Sequence, residues 1–384
     1  MRFLTAGESH GKALVGILEG LPAGLNLSKE ALQKELIRRK KGFGRGERQQ
    51  IESDSISILS GVRFGKTLGS PISFLIENKD WSNWEKIMSI DPQDESEERK
   101  VVVPRPGHAD LTGKIKYNFD DMRNVLERAS ARETTMRVAL GATAKVFLKE
   151  CGISIYSRVT EIGSVCDTTE VLDWNESRQE QVDASGVRFY NKAFEEKAIL
   201  EIQKAQDEGN TLGGVFEVTA LGCPVGLGSY THWDHKLDGL IAQSFMSLNA
   251  IKGVEIGMGF ESGRRPGSQV HDEIGLINSK VCYQTNKSGG LAAGMTTGQP
   301  LIVKAAMKPL STLKRPLQSV HLENRTETQA HFERSDVCAV PSAAVIGESL
   351  LALVLTEEIL KKFGGDSMQE LVPRIQLWNE RSRI

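Results

Sequence analysis

Short apolar runs separated by glycine-containing turns predict most of the strands of this chain. The first run, Phe3 and Leu4, ends at Gly7 and leads into a polar turn that carries His10. Residues 51–77 alternate between apolar and polar side chains, with glycines at intervals, which predicts β-hairpins. Similar runs predict further strands at residues 101–103, 214–218, 253–259 and 301–306.

Capping residues and helical spacing predict helices between these strands. Ser28 is a suitable N-cap for a helix that reaches residue 41, with Leu32, Leu36 and Ile37 on one face. A stretch rich in alanine and glycine gives the strongest helical pattern of the first half of the chain, at residues 124–150. A further helix is predicted at residues 236–251.

The pattern near the C-terminus predicts a central helix. It begins near Pro341, ends with Lys361 and Lys362, and stops at the glycines of residues 364–365. Its first half is apolar on nearly all sides, which is typical of a buried helix. Because the strands look like hairpins and do not alternate regularly with helices, the sequence predicts an α+β fold with antiparallel sheets packed on a helical core.

Composition and charge limit the function classes. The chain has 384 residues, of which 39% are hydrophobic and 26% charged, and its net charge is -2. We expect a soluble cytoplasmic protein, with no membrane span and no nucleic-acid partner. Its five cysteines are scattered and never spaced as CxxC, so neither a disulfide framework nor a metal site is expected. Residues 1–384 are interpreted as one large domain with a polar, peripheral excursion at about 165–208.

Basic side chains and histidines gather on predicted turns and helix starts. Arginine recognises phosphate and carboxylate through its planar fork, so this distribution indicates a small polyanionic ligand. A histidine on a glycine-flanked turn such as His10 suits proton transfer, although a structural bond to the backbone is the alternative interpretation. The basic and titratable positions are His10, Arg39, Arg45, Arg48, Arg105, His108, Arg128, Arg132, Lys308, Arg334 and Asp336.

Together, three long motifs closely resemble the chorismate synthase family. They are GESHGKALVGILEGLP at residues 7–22, ERASARET at residues 127–134, and RSDVC at residues 334–338 followed by GES at residues 347–349. Further family-like segments are RPGHAD at 105–110, LNAIKGVEIG at 248–257 and KPLST at 308–312. The resemblance covers nearly the whole chain. It implies a β-α-β sandwich assembled as a homotetramer.

The resemblance also implies an activity and its residues. Members of this family convert 5-enolpyruvylshikimate 3-phosphate into chorismate by a 1,4-anti elimination of phosphate, with reduced FMN (FMNH2) required and no net redox change. The implied catalytic residues are His10, His108 and Asp336. The implied cofactor-binding residues are Arg128, Ala129, Ser130, Asn249, Ala250, Ala293, Lys308, Pro309, Leu310, Ser311, Thr312 and Arg334. The implied substrate or NADP contacts are Arg39, Arg45, Arg48 and Arg132.

The sequence leaves several questions open. NADPH is a candidate reductant for the flavin, but no segment resembles a nicotinamide domain, so we favour an external source of reduced flavin, either a partner such as a separate flavin reductase or a reducing environment. One alternative function is a flavin-dependent oxidoreductase, which would consume reduced flavin stoichiometrically. The other is a non-catalytic anion-binding protein in which His10 and His108 are structural.

Overall fold

Two antiparallel sheets enclose a helical core in the described part of the chain, which comprises residues 1–46, 54–171, 173–333 and 335–382 of a computed structural model. The helices are α1 (Lys29–Lys40), α2 (Asp110–Tyr117), α3 (Arg123–Leu126), α4 (Thr134–Glu150), α5 (Glu176–Ala184), α6 (Lys192–Asp207), α7 (Leu237–Met246), α8 (Val340–Phe363) and α9 (Met368–Arg381). The strands are β1 (Arg2–Ala6), β2 (Ala13–Glu19), β3 (Ile56–Ser60), β4 (Val62–Arg63), β5 (Lys66–Thr67), β6 (Ile72–Glu77), β7 (Ser154–Ile162), β8 (Val165–Cys166), β9 (Gly214–Leu221), β10 (Ile251–Ile256), β11 (Ile274–Ile277), β12 (Lys280–Tyr283), β13 (Leu291–Ala292), β14 (Met295–Thr296), β15 (Leu301–Met307), β16 (Gln318–His321) and β17 (Thr326–Gln329).

Both larger sheets are antiparallel throughout. The first has the strand order β1-β2-β6-β3 and the second has the order β10-β15-β9-β7-β8. Alternation sets which face of each sheet is buried: in β6, Ile72, Phe74 and Ile76 are at most 1% exposed and point to the core. The remaining strands form two-stranded hairpins. This arrangement confirms the predicted α+β fold.

The helical core joins the two sheets. Helix α4 packs on β2 and against α8, and α8 packs on β7 and β9. The contact between the two helices is close at Gly141, where an added Cβ would lie 2.5 Å from the Cα of Ser349, so only glycine fits. On its other side α8 places Gly347 against the ring of Phe216 in β9. The prediction of a central helix after residue 340 is therefore confirmed.

Helix α1 confirms its predicted start and corrects one predicted core position. The hydroxyl of Ser28 accepts a hydrogen bond from the backbone N–H of Ala31, as expected for an N-cap. Leu32 and Leu36 are fully buried, but Ile37 is half exposed. The apolar face is therefore narrower than predicted, and the buried positions beside it belong to Arg38 and Arg39.

The single helix predicted at residues 124–150 is wrong. Helix α3 ends at Leu126 and α4 begins at Thr134, with an irregular segment and a 3-10 turn between them. Side chains in this segment form local bonds that compete with the helix: the hydroxyl of Ser130 accepts from the N–H of Arg132, 3.3 Å away. The break places residues 129–132 in the wall of the cavity described below.

Two other segments differ from their sequence patterns. Residues 101–103 form no strand: the N–H of Val101 donates to the Asp121 carboxylate, and its carbonyl accepts from the N–H of Met122. The excursion at about 165–208 contains α5 and α6, and Ala198 and Ile202 of α6 lie in the main core.

Candidate active site

A cavity of about 940 Å³ opens beside the N-terminal ends of α4 and α8. Its volume lies near the upper end of the roughly 300–1,000 Å³ that is usual for ligand pockets. Loops from distant parts of the chain build its wall, and Leu126, Ala343 and Ile346 add apolar surface. The lining includes residues from 9–10, 42–46, 105–109, 129–134, 248–250, 307–312 and 332–337.

His10 lies in the wall at the turn after β1. Its Nδ1 is 2.8 Å from Oε1 and 3.0 Å from Oε2 of Glu127, and its backbone N–H donates to Oε2 at 2.8 Å. The side chain is 11% exposed, and the carboxylate is 1% exposed. The neighbouring Ser9 donates its N–H to the carbonyl of Glu127 and shares a hydroxyl contact with Ser130. The turn is therefore attached to the irregular segment before α4.

One face of His10 is covered by Trp84. The ring centroids lie 3.8 Å apart and the planes are inclined by 20°. The guanidinium groups of Arg99 and Arg123 lie over the indole at 4.2 and 5.1 Å. Trp84 lies in a polar segment without a regular spacing of apolar residues, so the sequence does not indicate this contact.

His108 belongs to a second group of titratable side chains. Its Nδ1 contacts the carboxylate of Asp110 and lies 3.0 Å from a guanidinium nitrogen of Arg105. Arg105 also donates to Asp110 at 2.8 Å and to the hydroxyl of Thr312 at 3.2 Å. Burial opposes ionisation of Asp110, but the hydrogen bonds from His108 and Arg105 outweigh it and hold the pKa of this carboxyl well below its usual range.

Three arginines, Arg39, Arg45 and Arg132, form the arginine cluster at one end of the cavity. Arg39 donates only to neutral groups, the hydroxyl of Thr134 at 2.9 Å and the carbonyl of Ala131 at 3.0 Å, among the partners found in the described ranges. Burial, followed by repulsion from Arg45 and Arg132, lowers the pKa of Arg39 to about 9.

Carboxylates offset part of the charge of the other two arginines. Arg132 contacts Asp54 and donates to the amide oxygen of Asn78 at 2.8 and 3.0 Å. Arg45 pairs with Asp336 at 2.8 Å.

Asp336 does not cap the helix that follows it. Its carboxylate accepts from the N–H of Gly46 at 2.6 Å as well as from Arg45. The N-cap position of α8 is Ala339, and no side chain caps it there. A role as a helix cap is therefore excluded for Asp336, and its side chain faces the cavity.

Most of the expected cofactor-binding positions line the same cavity. Lys308 donates to the carbonyl of Gly107, and burial, together with repulsion from Lys252, lowers its pKa. Asn249 donates to the carbonyl of Ala129 at 2.8 Å. The lining positions of this group are Ala129, Ser130, Asn249, Ala250, Lys308, Pro309, Leu310, Ser311 and Thr312.

Two expected site residues of the described ranges lie outside the cavity wall. Arg128 points away from the cavity and donates to the carbonyls of Thr5 and Gly7. Ala293 lies in the turn between β13 and β14, outside the cavity wall of this chain. Arg48 and Arg334 fall outside the described residues.

The described ranges contain no group of three or more histidine, cysteine or carboxylate side chains placed to hold a metal ion. Within the same ranges, no helix combines the length and apolarity needed to cross a bilayer. The cysteines described are free thiols. A cationic cavity with two carboxylate-bound histidines is typical of the class of proteins that bind a small, multiply charged anion.

Comparisons with known proteins agree with this class. The family model for chorismate synthase matches residues 1–360. The chorismate synthase of Syntrophotalea carbinolica is 51% identical over 380 residues, covering 99% of this chain and 98% of the relative, and that of Alkaliphilus metalliredigens is 52% identical over 371 residues, covering 96% and 97%. A crystal structure of chorismate synthase superposes with a TM-score of 0.78 at 43% identity, covering 100% of this chain and 98% of the other. The chain belongs to the chorismate synthase family.

Proposed function

We propose that this protein converts 5-enolpyruvylshikimate 3-phosphate into chorismate by a 1,4-anti elimination of phosphate. The observation that carries the proposal is the meeting of His10, His108 and the arginine cluster around one cavity. The substrate has one phosphate and two carboxylates, and the cluster supplies guanidinium forks suited to such groups. Membership of the family supports the same reaction.

The cavity wall fits reduced FMN as the required cofactor. Lys308 supplies a cation, and the hydroxyls of Ser130, Ser311 and Thr312 supply hydrogen bonds of the kind that hold a phosphate. Apolar surface from Leu126 and Met307 suits one face of a planar ring. When bound, reduced FMN supplies the electron-rich ring that the elimination needs, with no net oxidation.

The side chains of this chain handle charge and protons. Arg39, Arg45 and Arg132 bind and orient the anionic groups of the substrate in a buried environment. The Nε2 of His10 carries the proton that is delivered to the oxygen of the departing phosphate. His108, which is bound to Asp110, and Asp336 are further titratable side chains of the cavity, and they take part in the proton transfers of the reaction.

Several finer features belong to the same proposal. We expect a homotetramer in the cytoplasm. NADPH reduces the flavin either on this protein or through a separate flavin reductase. An anaerobic assay with FMN and NADPH, but no added reductase, distinguishes the two: chorismate forms only if the protein reduces its own flavin.

An anaerobic assay with chemically reduced FMN tests the reaction itself. We expect chorismate and phosphate in equal amounts over many turnovers for each flavin. Flavin oxidised in proportion to product would instead identify an oxidoreductase.

His10→Ala should lower kcat by roughly 10²–10⁴-fold, the usual contribution of a general acid, while flavin affinity stays near that of the unchanged protein. Binding of substrate without turnover in the unchanged protein would identify an anion-binding protein.

A further inference from the structure

Residue 127 holds the His10 turn through both its backbone and its side chain. The carbonyl of Glu127 accepts the N–H of Ser9 at 2.9 Å. Its carboxylate accepts the N–H of His10 at 2.8 Å and contacts Nδ1 of the same residue through both oxygens, at 2.8 and 3.0 Å. Such a two-point attachment fixes the position of the histidine and the rotation of its ring.

The environment of Glu127 favours a carboxylate that acts only as an acceptor. Its side chain is 1% exposed, and Arg123 donates to Oε1 at 3.1 Å. An ionised carboxylate has no proton to donate, so the ring atom it contacts must carry the hydrogen. The proton on His10 is therefore fixed at Nδ1, and Nε2 is the ring nitrogen left to exchange a proton in the cavity.

Trp84 restricts the imidazole ring of His10 from the side of one ring face. It stacks on His10 at 3.8 Å, and Arg99 and Arg123 cover the indole itself. A stacked aromatic face excludes water and holds the plane of the imidazole. Arg123 therefore contacts both Glu127 and Trp84, and it links the two groups that orient His10.

We infer that Glu127 is the positioning residue for proton delivery by His10. With Nδ1–H held by the carboxylate, the imidazolium can lose its Nε2 proton and become the neutral Nδ1–H tautomer without any rearrangement. The leaving phosphate oxygen takes the proton, and the electron pair of the N–H bond stays on Nε2. This inference rests on the proposed function, since it needs His10 to act as the proton donor.

Glu127→Gln tests the inference because it keeps the size of the side chain. The amide oxygen can still accept the backbone N–H of His10, but the amide N–H₂ then faces Nδ1 and demands a lone pair there. The ring proton moves to Nε2, and a second proton at Nδ1 would meet a donor. We expect kcat to fall by roughly 10²-fold, with KM changed by less than about threefold, because the loss falls on a proton-transfer step.

Glu133→Gln is the matched control. Glu133 lies in the same segment, is similarly buried, and bonds to Thr5 and Arg137 instead of His10. It should leave kcat and the state of His10 unchanged. Glu127→Asp keeps the charge on a shorter side chain, so it should recover part of the lost turnover and provides a second variant should the glutamine variant fold poorly.

Two measurements decide the outcome. Magic-angle-spinning ¹⁵N spectra of histidine-labelled protein, with the His10 signal identified by its loss in His10→Ala, report the tautomer without turnover. We expect Nδ1–H in the unchanged protein and in Glu133→Gln, and Nε2–H in Glu127→Gln. In kinetics, the double variant His10→Ala/Glu127→Gln should be no slower than His10→Ala alone, since Glu127 acts through His10.

Other results would overturn the inference or separate it from the proposed function. An Nε2–H tautomer in the unchanged protein, or losses that multiply in the double variant, would remove Glu127 from this role. If the unchanged protein forms no chorismate, the proposed function fails, and the spectra still report whether Glu127 sets the tautomer.

Discussion

Arg38 and Arg39 are neighbours on α1, yet they belong to two regions with different charge balance. Arg38 enters the interior network, which comprises Glu35, Arg38, Lys145, Asp183, Arg188 and Glu348. Arg39 enters the arginine cluster and bonds to neutral oxygens. Burial opposes the charge of both, but Glu348 and Glu35 raise the pKa of Arg38, whereas Arg45 and Arg132 help to lower the pKa of Arg39.

This difference indicates that the interior network stabilises the fold, whereas the arginine cluster is suited to binding a ligand. The interior network contains three cations and three carboxylates, so every charge is compensated where water is excluded. Among the described residues, the arginine cluster has three cations beside two carboxylates, Asp54 and Asp336. A phosphate or carboxylate of the ligand would complete the balance in the cavity.

The largest effect is expected when the balance of the interior network is broken by Glu348→Gln. Glu348 is fully buried at the centre of α8 and accepts from Arg38, Lys145 and Ser157. Removing its charge leaves three cations beside two carboxylates, which should lower the free energy of unfolding by about 3–5 kcal/mol. Urea unfolding followed by circular dichroism measures this loss.

Glu357→Gln on the same helix is the control for Glu348→Gln. The Glu357 side chain is 40% exposed and pairs with Lys361. Exposed pairs of this kind contribute less than about 1 kcal/mol. Losses of similar size in the two variants would show that the interior network does not depend on charge balance.

The next effect concerns turnover and comes from Asp336→Asn. This change increases the positive surplus of the cavity, so anion binding should not weaken and KM should stay level or fall. If Asp336 takes part in proton transfer, kcat should fall by about a hundredfold or more, because asparagine accepts no proton. Steady-state kinetics give both values.

The melting temperature serves as the control for Asp336→Asn. Since Asp336 does not cap α8, and the asparagine oxygen can still accept the N–H of Gly46, the fold should be preserved. Full activity in this variant would end the catalytic assignment of Asp336.

Arg39→Met should weaken binding with little change in stability. A hydrogen bond to a charged group contributes about 1.5–3 kcal/mol, so KM for the substrate should rise roughly 10–150-fold. The two groups that Arg39 leaves remain bonded to each other, because the Thr134 hydroxyl donates to the Ala131 carbonyl at 2.6 Å. The free energy of unfolding should therefore change by less than about 1 kcal/mol.

Arg38→Met, one residue away, should give the reverse result. It removes the guanidinium that contacts both Glu348 and Asp183, so stability should fall far more than substrate affinity. Equal effects of the two variants on stability and KM would contradict the division between the two regions.

The sequence pattern predicts much of the fold because the signals are local. The cap at Ser28, the alternation in β6 and the apolar start of α8 each depend on neighbouring residues, and each is found as predicted. The helix predicted at 124–150 is interrupted because Glu127 and Ser130 bond to groups elsewhere in space or along the backbone. The spacing of apolar residues along the chain does not indicate such bonds.

The site residues that the sequence predicts are also those with a local signal. His10, Arg45 and His108 stand out because they lie beside glycines on predicted turns. The partners that orient them, Glu127 and Trp84, come from 117 and 74 positions further along the chain than His10. Their relation to His10 exists only in the fold, and a single sequence gives no sign of it.

The smallest expected effect is a loss of substrate affinity at alkaline pH. The pKa of Arg39 lies near 9, well below its ordinary value, so its charge is present below pH 9 and is lost above it. The substrate phosphate stays fully ionised in this range. If an anion needs the charged guanidinium, KM should rise roughly tenfold between pH 8 and pH 10. Initial rates in that range measure it.

The comparison with Arg39→Met isolates the contribution of this one group. Lys308, whose pKa is also lowered by burial, titrates in both proteins and cancels in the ratio of their KM values. That ratio should therefore fall roughly tenfold between pH 8 and pH 10. The same titration of Arg39 affects stability in the opposite direction to substrate affinity. Above pH 9 the folded chain releases the Arg39 proton and the unfolded chain keeps it, so the free energy of unfolding rises with pH in this range. A KM ratio that stays constant with pH would mean that Arg39 keeps its charge, and that the arginine cluster is better compensated than its contacts indicate.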